Sequence, residues 1–184
     1  MNRAVDAAAA GLGLAVASPF LAAAALAIKL DDRGPVFYRQ RRVGLNGEEF
    51  ELVKLRTMEV DAERKGAGLA VNKDDPRITR AGRLLRRLSI DELPQLWNVL
   101  RGDMSLVGPR PLVVDEDSKI YGWDRRRLHL TPGMTGHWQI LGSARVPLHE
   151  MVKIDYLYVA GWSLWSDVKI LLRTVPYMLN RRGM

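Results

Sequence analysis

The adjacent acids Asp91 and Glu92 are the residues of this chain best suited to chemistry. They lie in the stretch RRLSIDELPQLWNVL (residues 86–100), between an arginine-rich approach and an apolar run. An ionised carboxylate beside Arg86 and Arg87 can attack phosphorus as a nucleophile while the guanidinium groups bind the phosphate oxygens. It can also hold a hard cation such as Mg²⁺, whose other ligands would be water and substrate phosphate. A helix cap with an ordinary ion pair explains the same residues, so the pair alone leaves both interpretations open.

Pro94 sets the expected helix register around this pair. With Ser89 as N-cap, Pro94 would be the fifth helical residue and would remove a needed hydrogen bond. With Asp91 as N-cap, Pro94 falls third, where the amide has no intrahelical partner. We therefore predict a helix from about Glu92 to Leu100 capped by Asp91, and the positive end of its dipole favours ionised carboxylates.

The composition limits the class of protein. The 184 residues suffice for one modest domain, and 28 Lys plus Arg against 21 Asp plus Glu give a formal charge of +7. This charge favours phosphate-bearing partners, whether nucleic acid, anionic lipid or nucleotide. The absence of cysteine excludes disulfides and Cys-ligated metals, and the three histidines lack the spacing of a zinc site.

An apolar segment near the start is long enough to cross a bilayer. Residues 7–28 carry no charge, and basic residues such as Lys29 and Arg33 follow the segment whereas Arg3 alone precedes it. A cleaved signal peptide is disfavoured because the start is weakly charged and the apolar run is long. The charge asymmetry predicts that the main domain lies in the cytoplasm.

Ser18-Pro19 lies near the middle of this segment. Proline removes a backbone hydrogen bond there, and the serine hydroxyl can bond the freed carbonyl and favour a bend. The pattern fits a kinked spanning helix and a re-entrant hairpin of two short arms equally well.

Three further features follow from local patterns: a hairpin, a loop and a helix. Residues 36–38 and 49–53 are β-prone and flank the turn residues 44–47, which predicts a hairpin. Residues 59–76 are polar and predict a mobile loop. Arg80–Leu88 predicts an amphipathic helix whose basic side either faces solvent or contacts an anionic bilayer or a phosphate.

The chain from Ile154 to Leu179 shows helical spacing of apolar residues, so we predict a second amphipathic helix there. Its aromatic residues, which include Trp162 and Trp165, fit a membrane-interface belt and ordinary core packing equally well.

Residues 75–111, DPRITRAGRLLRRLSIDELPQLWNVLRGDMSLVGPRP, closely resemble the signature of the bacterial sugar transferases, the monotopic phosphoglycosyl transferases. The apolar Ser-Pro segment, GPVFYRQRRVG (34–44), KLRTM (54–58), TPGMTGHWQ (131–139) and DYLYVAGWSLWSDVKIL (155–171) complete the resemblance in the family's order. It covers nearly the full chain, whose short length looks like the family's minimal catalytic unit.

The resemblance implies an enzyme that transfers a phosphosugar from a nucleotide diphosphate sugar, usually a UDP-sugar, to polyprenyl phosphate and releases UMP. This is the first membrane step in the assembly of a polysaccharide, an O-antigen or a glycoprotein glycan. The implied reaction passes through a covalent intermediate on Asp91, and Glu92 supports the required Mg²⁺, so both are expected as metal ligands. Pro109, Arg110 and Pro111 are associated with the nucleotide; two fixed φ angles can hold the guanidinium rigidly.

The remaining expectations concern further site residues, topology and partners. We expect Lys54 and Arg56 of KLRTM to bind substrate together with the arginines beside the acidic pair.

Family members use Ser-Pro for a re-entrant turn, so we expect a membrane hairpin over residues 1–30 with its turn at Ser18 and Pro19, and a cytoplasmic catalytic domain over residues 31–184. The expected fold is membrane-associated α+β, with amphipathic interface helices and a small β-hairpin, on the cytoplasmic face of the bacterial inner membrane. The phospholipid bilayer is then a partner, and a homo-oligomer is compatible with the sequence.

Two positions depart from the family pattern. Leu55 stands where phenylalanine is common, and Thr131 stands where arginine is frequent; both departures bear on pocket shape and sugar choice. A nucleic-acid-binding domain is the rival class, but its base-stacking aromatics should alternate with basic residues. Here the aromatics lie mainly in the C-terminal helix, so no nucleic acid partner is expected.

Overall fold

The computed structural model describes residues 2–64, 75–141 and 147–180. Its α-helices are α1 (Arg3–Asp32), α2 (Arg80–Arg87), α3 (Gln95–Arg101), α4 (Val114–Asp117), α5 (His137–Ile140), α6 (Leu148–Ala160) and α7 (Leu164–Asn180). Its strands are β1 (Phe37–Val43), β2 (Glu49–Leu55), β3 (Ser105–Val107), β4 (Leu112–Val113) and β5 (Gly133–Thr135). The predicted mixture of helix and sheet is confirmed. Most of the predicted loop 59–76 lies outside the described residues.

The predicted β-hairpin is confirmed and forms most of a small sheet. Strands β1 and β2 pair antiparallel from Phe37↔Leu55 to Val43↔Glu49, and β4 joins the outer side of β1 to give the order β2-β1-β4. Asn46 and Gly47 turn the chain with positive φ angles of 55° and 86°. Asparagine and glycine adopt this backbone conformation most readily, so the turn residues fix the pairing register.

A second, parallel pair of strands depends on glycine. Strand β3 pairs with β5, and a Cβ atom on Gly133 would lie 2.0 Å from the backbone nitrogen of Gly108. Any larger residue at position 133 would therefore force the two chain segments apart. This contact places the residues that follow β3 directly beside the segment that leads to α5.

The apolar segment forms one helix, α1, that contains Pro19. Pro19 cannot donate the bond that a helix would make to the carbonyl of Ala15, and the hydroxyl of Ser18 donates to that carbonyl instead at 2.8 Å. The expected use of the serine is confirmed. By length and composition alone α1 could cross a membrane. Whether its two halves form a re-entrant hairpin in a bilayer stays a prediction.

Both ends of α1 are bound to the rest of the chain. At the first turn, Arg3 donates to the carbonyls of Val99 and Leu100, and the buried Asp6 accepts from Ser105 Oγ at 2.9 Å and from the Leu106 amide at 3.0 Å.

At the last turn of α1, Asp32 pairs with Arg56, and Asp31 accepts from the Ala81 amide at 2.9 Å. A stripe of small and apolar residues between the two ends packs inward, including Ala10, Ala24 and Ile28. Helix α1 therefore contacts the same body at its beginning and at its end.

The predicted single helix from Ile154 to Leu179 is wrong in its continuity. Helices α6 and α7 are separated at Gly161, and α7 begins after Ser163. Ser163 Oγ accepts from the Ser166 amide at 3.1 Å, and Ser166 Oγ accepts from the Ser163 amide at 3.0 Å. This reciprocal cap starts a new helix, which the apolar spacing alone does not reveal.

Candidate active site

The acidic pair lies in a short 3₁₀ turn between α2 and α3. Ser89 adopts a left-handed conformation (φ 54°), and Ile90–Glu92 form the 3₁₀ turn that follows it. Helix α3 begins only at Gln95, with Pro94 as its N-cap. The prediction of a helix from Glu92 capped by Asp91 is therefore wrong.

The hydrogen bonds around Pro94 explain this register. The Leu93 amide bonds the Ile90 carbonyl at 3.2 Å, and the Leu96 amide bonds the Leu93 carbonyl at 3.0 Å. Because Pro94 has no amide hydrogen, the chain closes tight three-residue turns on either side of it before the α-helical pattern begins. Ser89 precedes the turn without a side-chain capping bond.

The pKa of Asp91 is raised, whereas a carboxylate stabilised by a helix dipole would have a lowered pKa. Burial, followed by the negative charge of Glu92, raises the pKa of Asp91 to about 6. The positive charges of Lys54 and Arg86 oppose this shift without cancelling it. Asp91 is therefore still mostly ionised at neutral pH, although its surroundings disfavour the ionised form.

Two basic side chains flank the pair. Lys54, at the end of β2, lies with its Nζ 3.2 Å from Glu92 Oε1. Arg86, on the last turn of α2, lies close enough for the charges of Asp91 and Glu92 to act on its pKa, which burial lowers. These four residues form the acidic-pair cluster, and all four were predicted from the sequence.

Thr57 holds Arg86 in this cluster. Arg86 Nε donates to Thr57 Oγ1 at 2.8 Å. Helix α2 approaches Thr57 so closely that a Cβ on Gly82 would lie 2.0 Å from the Thr57 carbonyl oxygen. Arg87, the next residue along α2, is exposed.

Arg56 has internal partners. It pairs with Asp32, and it donates to the carbonyls of Pro35 at 2.6 Å and Met58 at 2.9 Å. These bonds engage all three guanidinium nitrogens, so a substrate phosphate would have to compete with Asp32 for this side chain. In this structure Arg56 ties the end of α1 to the segment after β2.

The Pro109-Arg110-Pro111 segment joins β3 to β4 and forms a second cluster. The guanidinium carbon of Arg110 lies 5.2 Å from the centroid of the Trp138 ring. Arg42 Nη1 donates to the Pro111 carbonyl at 3.1 Å. Both prolines are buried, so the arginine between them starts from a fixed backbone.

One face of the hairpin connects the two clusters. Lys54 lies directly opposite Tyr38 on β1, and Tyr38 and Arg42 are four residues apart on the same strand. Because strand side chains alternate, Lys54 and Arg42 share a face and are separated by about 13 Å along it. The hairpin therefore presents one basic residue to each cluster.

Several residues of the second cluster were not predicted. Arg42, Arg127, Trp138 and Asp155 all contact the Pro-Arg-Pro segment or its partners. Strand alternation could have placed Arg42 on the face of Lys54. No local signal separates the buried Arg127 from its exposed neighbours Arg125 and Arg126.

Comparison with known proteins identifies the class. The family model of the bacterial sugar transferases matches residues 1–181. The chain belongs to this family, and the resemblance found in its sequence is confirmed.

Individual relatives show how much of each protein the chain matches. It is 47% identical to the galactosyl transferase CpsE of Streptococcus agalactiae, matching 83% of this chain but 36% of that protein. It is also 47% identical to the UDP-glucose:undecaprenyl-phosphate glucose-1-phosphate transferase of Caulobacter vibrioides, over 97% of this chain and 70% of the relative. The exopolysaccharide production protein ExoY of Rhizobium meliloti is 41% identical over 99% of this chain and 87% of its own length.

Proposed function

We propose that this protein transfers a sugar phosphate from a nucleoside diphosphate sugar, most simply a UDP-sugar, to polyprenyl phosphate and releases UMP. The observation that carries the proposal is the acidic-pair cluster, in which a half-buried Asp91 is flanked by Glu92, Lys54 and Arg86. A relative 47% identical to this chain is named for the same type of transfer to undecaprenyl phosphate. The names of the relatives include both glucose and galactose, so the proposal concerns the reaction and not one sugar.

In the first step, the Asp91 carboxylate attacks the phosphorus that bears the sugar. A bond forms between a carboxylate oxygen and this phosphorus, and the bond from phosphorus to the bridging oxygen breaks. The bridging oxygen leaves on UMP with the electron pair of the broken bond. Burial suits Asp91 to this task because a poorly solvated carboxylate is a better nucleophile than a hydrated one.

In the second step, an oxygen of polyprenyl phosphate attacks the same phosphorus. The bond to Asp91 breaks, the carboxylate is regenerated, and the product is a polyprenyl diphosphate sugar. Lys54 and Arg86 neutralise the oxygens of the transferred phosphoryl group in both steps. The exposed Arg87 adds positive charge close to the acidic pair in the sequence, and Arg110 with its flanking prolines binds the nucleotide.

We infer that Asp91 and Glu92 together hold Mg²⁺. Among the described residues no group of three or more acidic or histidine side chains could bind a metal. Two adjacent carboxylates are nevertheless a fitting donor set for Mg²⁺, which takes one or two protein carboxylates and completes its shell with water and substrate phosphate. The negative charge of Glu92 disfavours the ionised form of Asp91, so a bound cation would stabilise the two carboxylates. When bound, the ion would neutralise charge on the diphosphate.

We also propose that the protein enters the bilayer from one side. Both ends of α1 bind the same body, which is difficult to reconcile with a helix whose two ends face opposite compartments. This supports a re-entrant helix over residues 1–30 turning at Ser18-Pro19. We further propose that a catalytic domain over residues 31–184 lies on the cytoplasmic face of the inner membrane, where both substrates could meet, because basic residues follow the apolar segment.

The test is UMP release from radiolabelled UDP-sugars by the full chain in detergent with Mg²⁺. Without polyprenyl phosphate, the wild type should release about one UMP per active site as a burst, because the aspartyl intermediate accumulates. Asp91→Asn should lower turnover by at least about a thousandfold and remove the burst. Asp115→Asn, which changes an exposed acid on α4, is the control and should match the wild type. An Asp91→Asn variant with a normal burst would show that another group is the nucleophile.

A further inference from the structure

A buried ion pair holds the backbone of Arg110. Arg127 Nη2 lies 2.8 Å from Asp155 Oδ2, and the two side chains are 1% and 2% exposed. The same Nη2 donates to the carbonyl of Arg110. Burial raises the pKa of Asp155, and the charge and hydrogen bonds of Arg127 oppose this shift. The pair therefore binds the carbonyl of Arg110 through Arg127.

Core packing alone does not require such a pair. Two charges removed from water lose much of their solvation energy, and apolar residues of similar volume are often neutral or better for stability. The pair joins α6 to the 3₁₀ segment Gly122–His129, and Arg127 also donates to the Arg110 carbonyl. Its placement therefore points to a role in local geometry.

The guanidinium of Arg110 has hydrogen-bond donors with which it can bind an anion. One face of the guanidinium lies over Trp138 at 5.2 Å. Among the described residues, no protein acceptor is hydrogen-bonded to this guanidinium. A backbone held at its carbonyl, two flanking prolines and an aromatic face together leave few orientations for the side chain.

We propose that Arg127 and Asp155 are positioning residues that set the Arg110 guanidinium for the nucleotide portion of the donor substrate. The inference rests on the nucleotide-binding role proposed above for Arg110. Its effect should fall on donor binding and not on the chemical step, because Arg110 belongs to the second cluster and not to the acidic-pair cluster. The expected signature is a raised KM for the UDP-sugar with kcat nearly unchanged.

The main test replaces the whole pair with apolar residues. Arg127→Met/Asp155→Leu removes both charges of the pair together. Buried Asp117, whose Oδ1 lies 4.0 Å from Arg127 Nη1, keeps the bond that Arg125 donates to its Oδ2 at 3.1 Å, so the variant should fold with a thermal unfolding temperature close to that of the wild type. Its KM for the UDP-sugar and its Kd for UMP should nevertheless rise about tenfold. Tyr158→Phe is the matched control. It removes a buried hydrogen bond from the same helix, but the partner there is Asp167 and not Arg110, so KM should not change.

A double-mutant cycle with Arg110→Ala separates positioning from general damage. If the pair acts through Arg110, combining Arg127→Met/Asp155→Leu with Arg110→Ala should raise KM no further than Arg110→Ala alone. Additive effects on KM, or an unchanged KM in a well-folded pair variant, would overturn the positioning role and leave the proposed function standing. A normal KM in Arg110→Ala itself would overturn the nucleotide role of Arg110 and the positioning role with it.

Discussion

At the scale of single residues, Asp91 is a carboxylate that the fold does not favour in its charged form. Burial and the neighbouring Glu92 raise its pKa from 3.8 to about 6, although Lys54 and Arg86 lie nearby. A residue kept at a cost to stability is typical of active sites, where a reactive group is retained for chemistry.

Asp91→Asn is therefore expected to stabilise the protein at neutral pH while it abolishes activity. An acid whose pKa is raised in the folded state contributes its full stability below about pH 3.8 and loses that contribution as the pH rises through about 6. The neutral asparagine suffers no such loss. Its advantage should be largest above pH 6 and should vanish near pH 4, as measured by thermal unfolding across this range.

Lys54→Met should change the stability in the opposite direction from Asp91→Asn, as measured by the same thermal unfolding experiment. It removes a positive charge that lowers the pKa of Asp91, so the pKa should rise further and the protein should be less stable than the wild type above pH 6. If Asp91→Asn were less stable than the wild type at pH 8, the carboxylate would not be disfavoured as described.

At the scale of secondary structure, α1 is unusual because polar contacts lie at its two ends and its middle is apolar. Arg3 and Asp6 bind the start of the helix to α3 and β3, and Asp31 and Asp32 bind its end to α2 and Arg56. Ser18 supplies the donor that Pro19 lacks, so the centre of the helix can bend without leaving a carbonyl unpaired.

Single cysteines at positions 2 and 29 should react with a membrane-impermeant thiol reagent from the same side of the bilayer. The chain has no cysteine of its own, so each site reports alone. Ser118→Cys, an exposed position after α4, marks the side of the main domain and should label together with both. Opposite labelling of positions 2 and 29 would show that Ser18-Pro19 merely kinks a spanning helix.

The sequence predicted the elements whose signals are local. The hairpin follows from β-prone runs around Gly44–Gly47, and α2 follows from its amphipathic spacing over one short segment. The break between α6 and α7 was missed although Ser163 and Ser166 carry a capping pattern, because the apolar stripe continues through it.

The sequence predicted the residues of the acidic-pair cluster, but it predicted neither the geometry of that cluster nor most of the second cluster. The left-handed Ser89 and the 3₁₀ turn around the acidic pair depend on how α2 and α3 pack, which no local pattern reveals. The role of Arg127 depends on Asp155, 28 residues away. Only the folded chain distinguishes it from the two arginines that precede it.

At the scale of the whole molecule, two exposed leucines lie close to the acidic pair in the sequence. Leu84 and Leu88 of α2 are 57% and 55% exposed, and Leu88 precedes Asp91 by three residues. Helix α2 packs against α1, whose outer side also exposes large apolar residues such as Phe20 and Leu26. We expect this joint surface to contact lipid, which would bring the acidic pair to the level of a lipid-borne phosphate.

Leu84→Gln/Leu88→Gln should raise the KM for polyprenyl phosphate severalfold in nanodiscs and leave the KM for the UDP-sugar unchanged. Two apolar side chains lose their burial in lipid, so the domain sits less firmly on the membrane that carries this substrate. Leu45→Gln, at the hairpin turn remote from Lys54, is the control and should leave both values unchanged. An equal rise in both KM values would indicate general damage to the site.

The contacts of the first turn of α1 also order the events of biosynthesis. Asp6 leaves the ribosome 99 and 100 residues ahead of its partners Ser105 and Leu106. At about 5–20 residues per second, its carboxylate waits about 5–20 s for them. During that interval the apolar helix can enter the bilayer, but its start has nothing to bind. We therefore expect α1 to enter the membrane before β3 is made and to dock onto the main domain only afterwards.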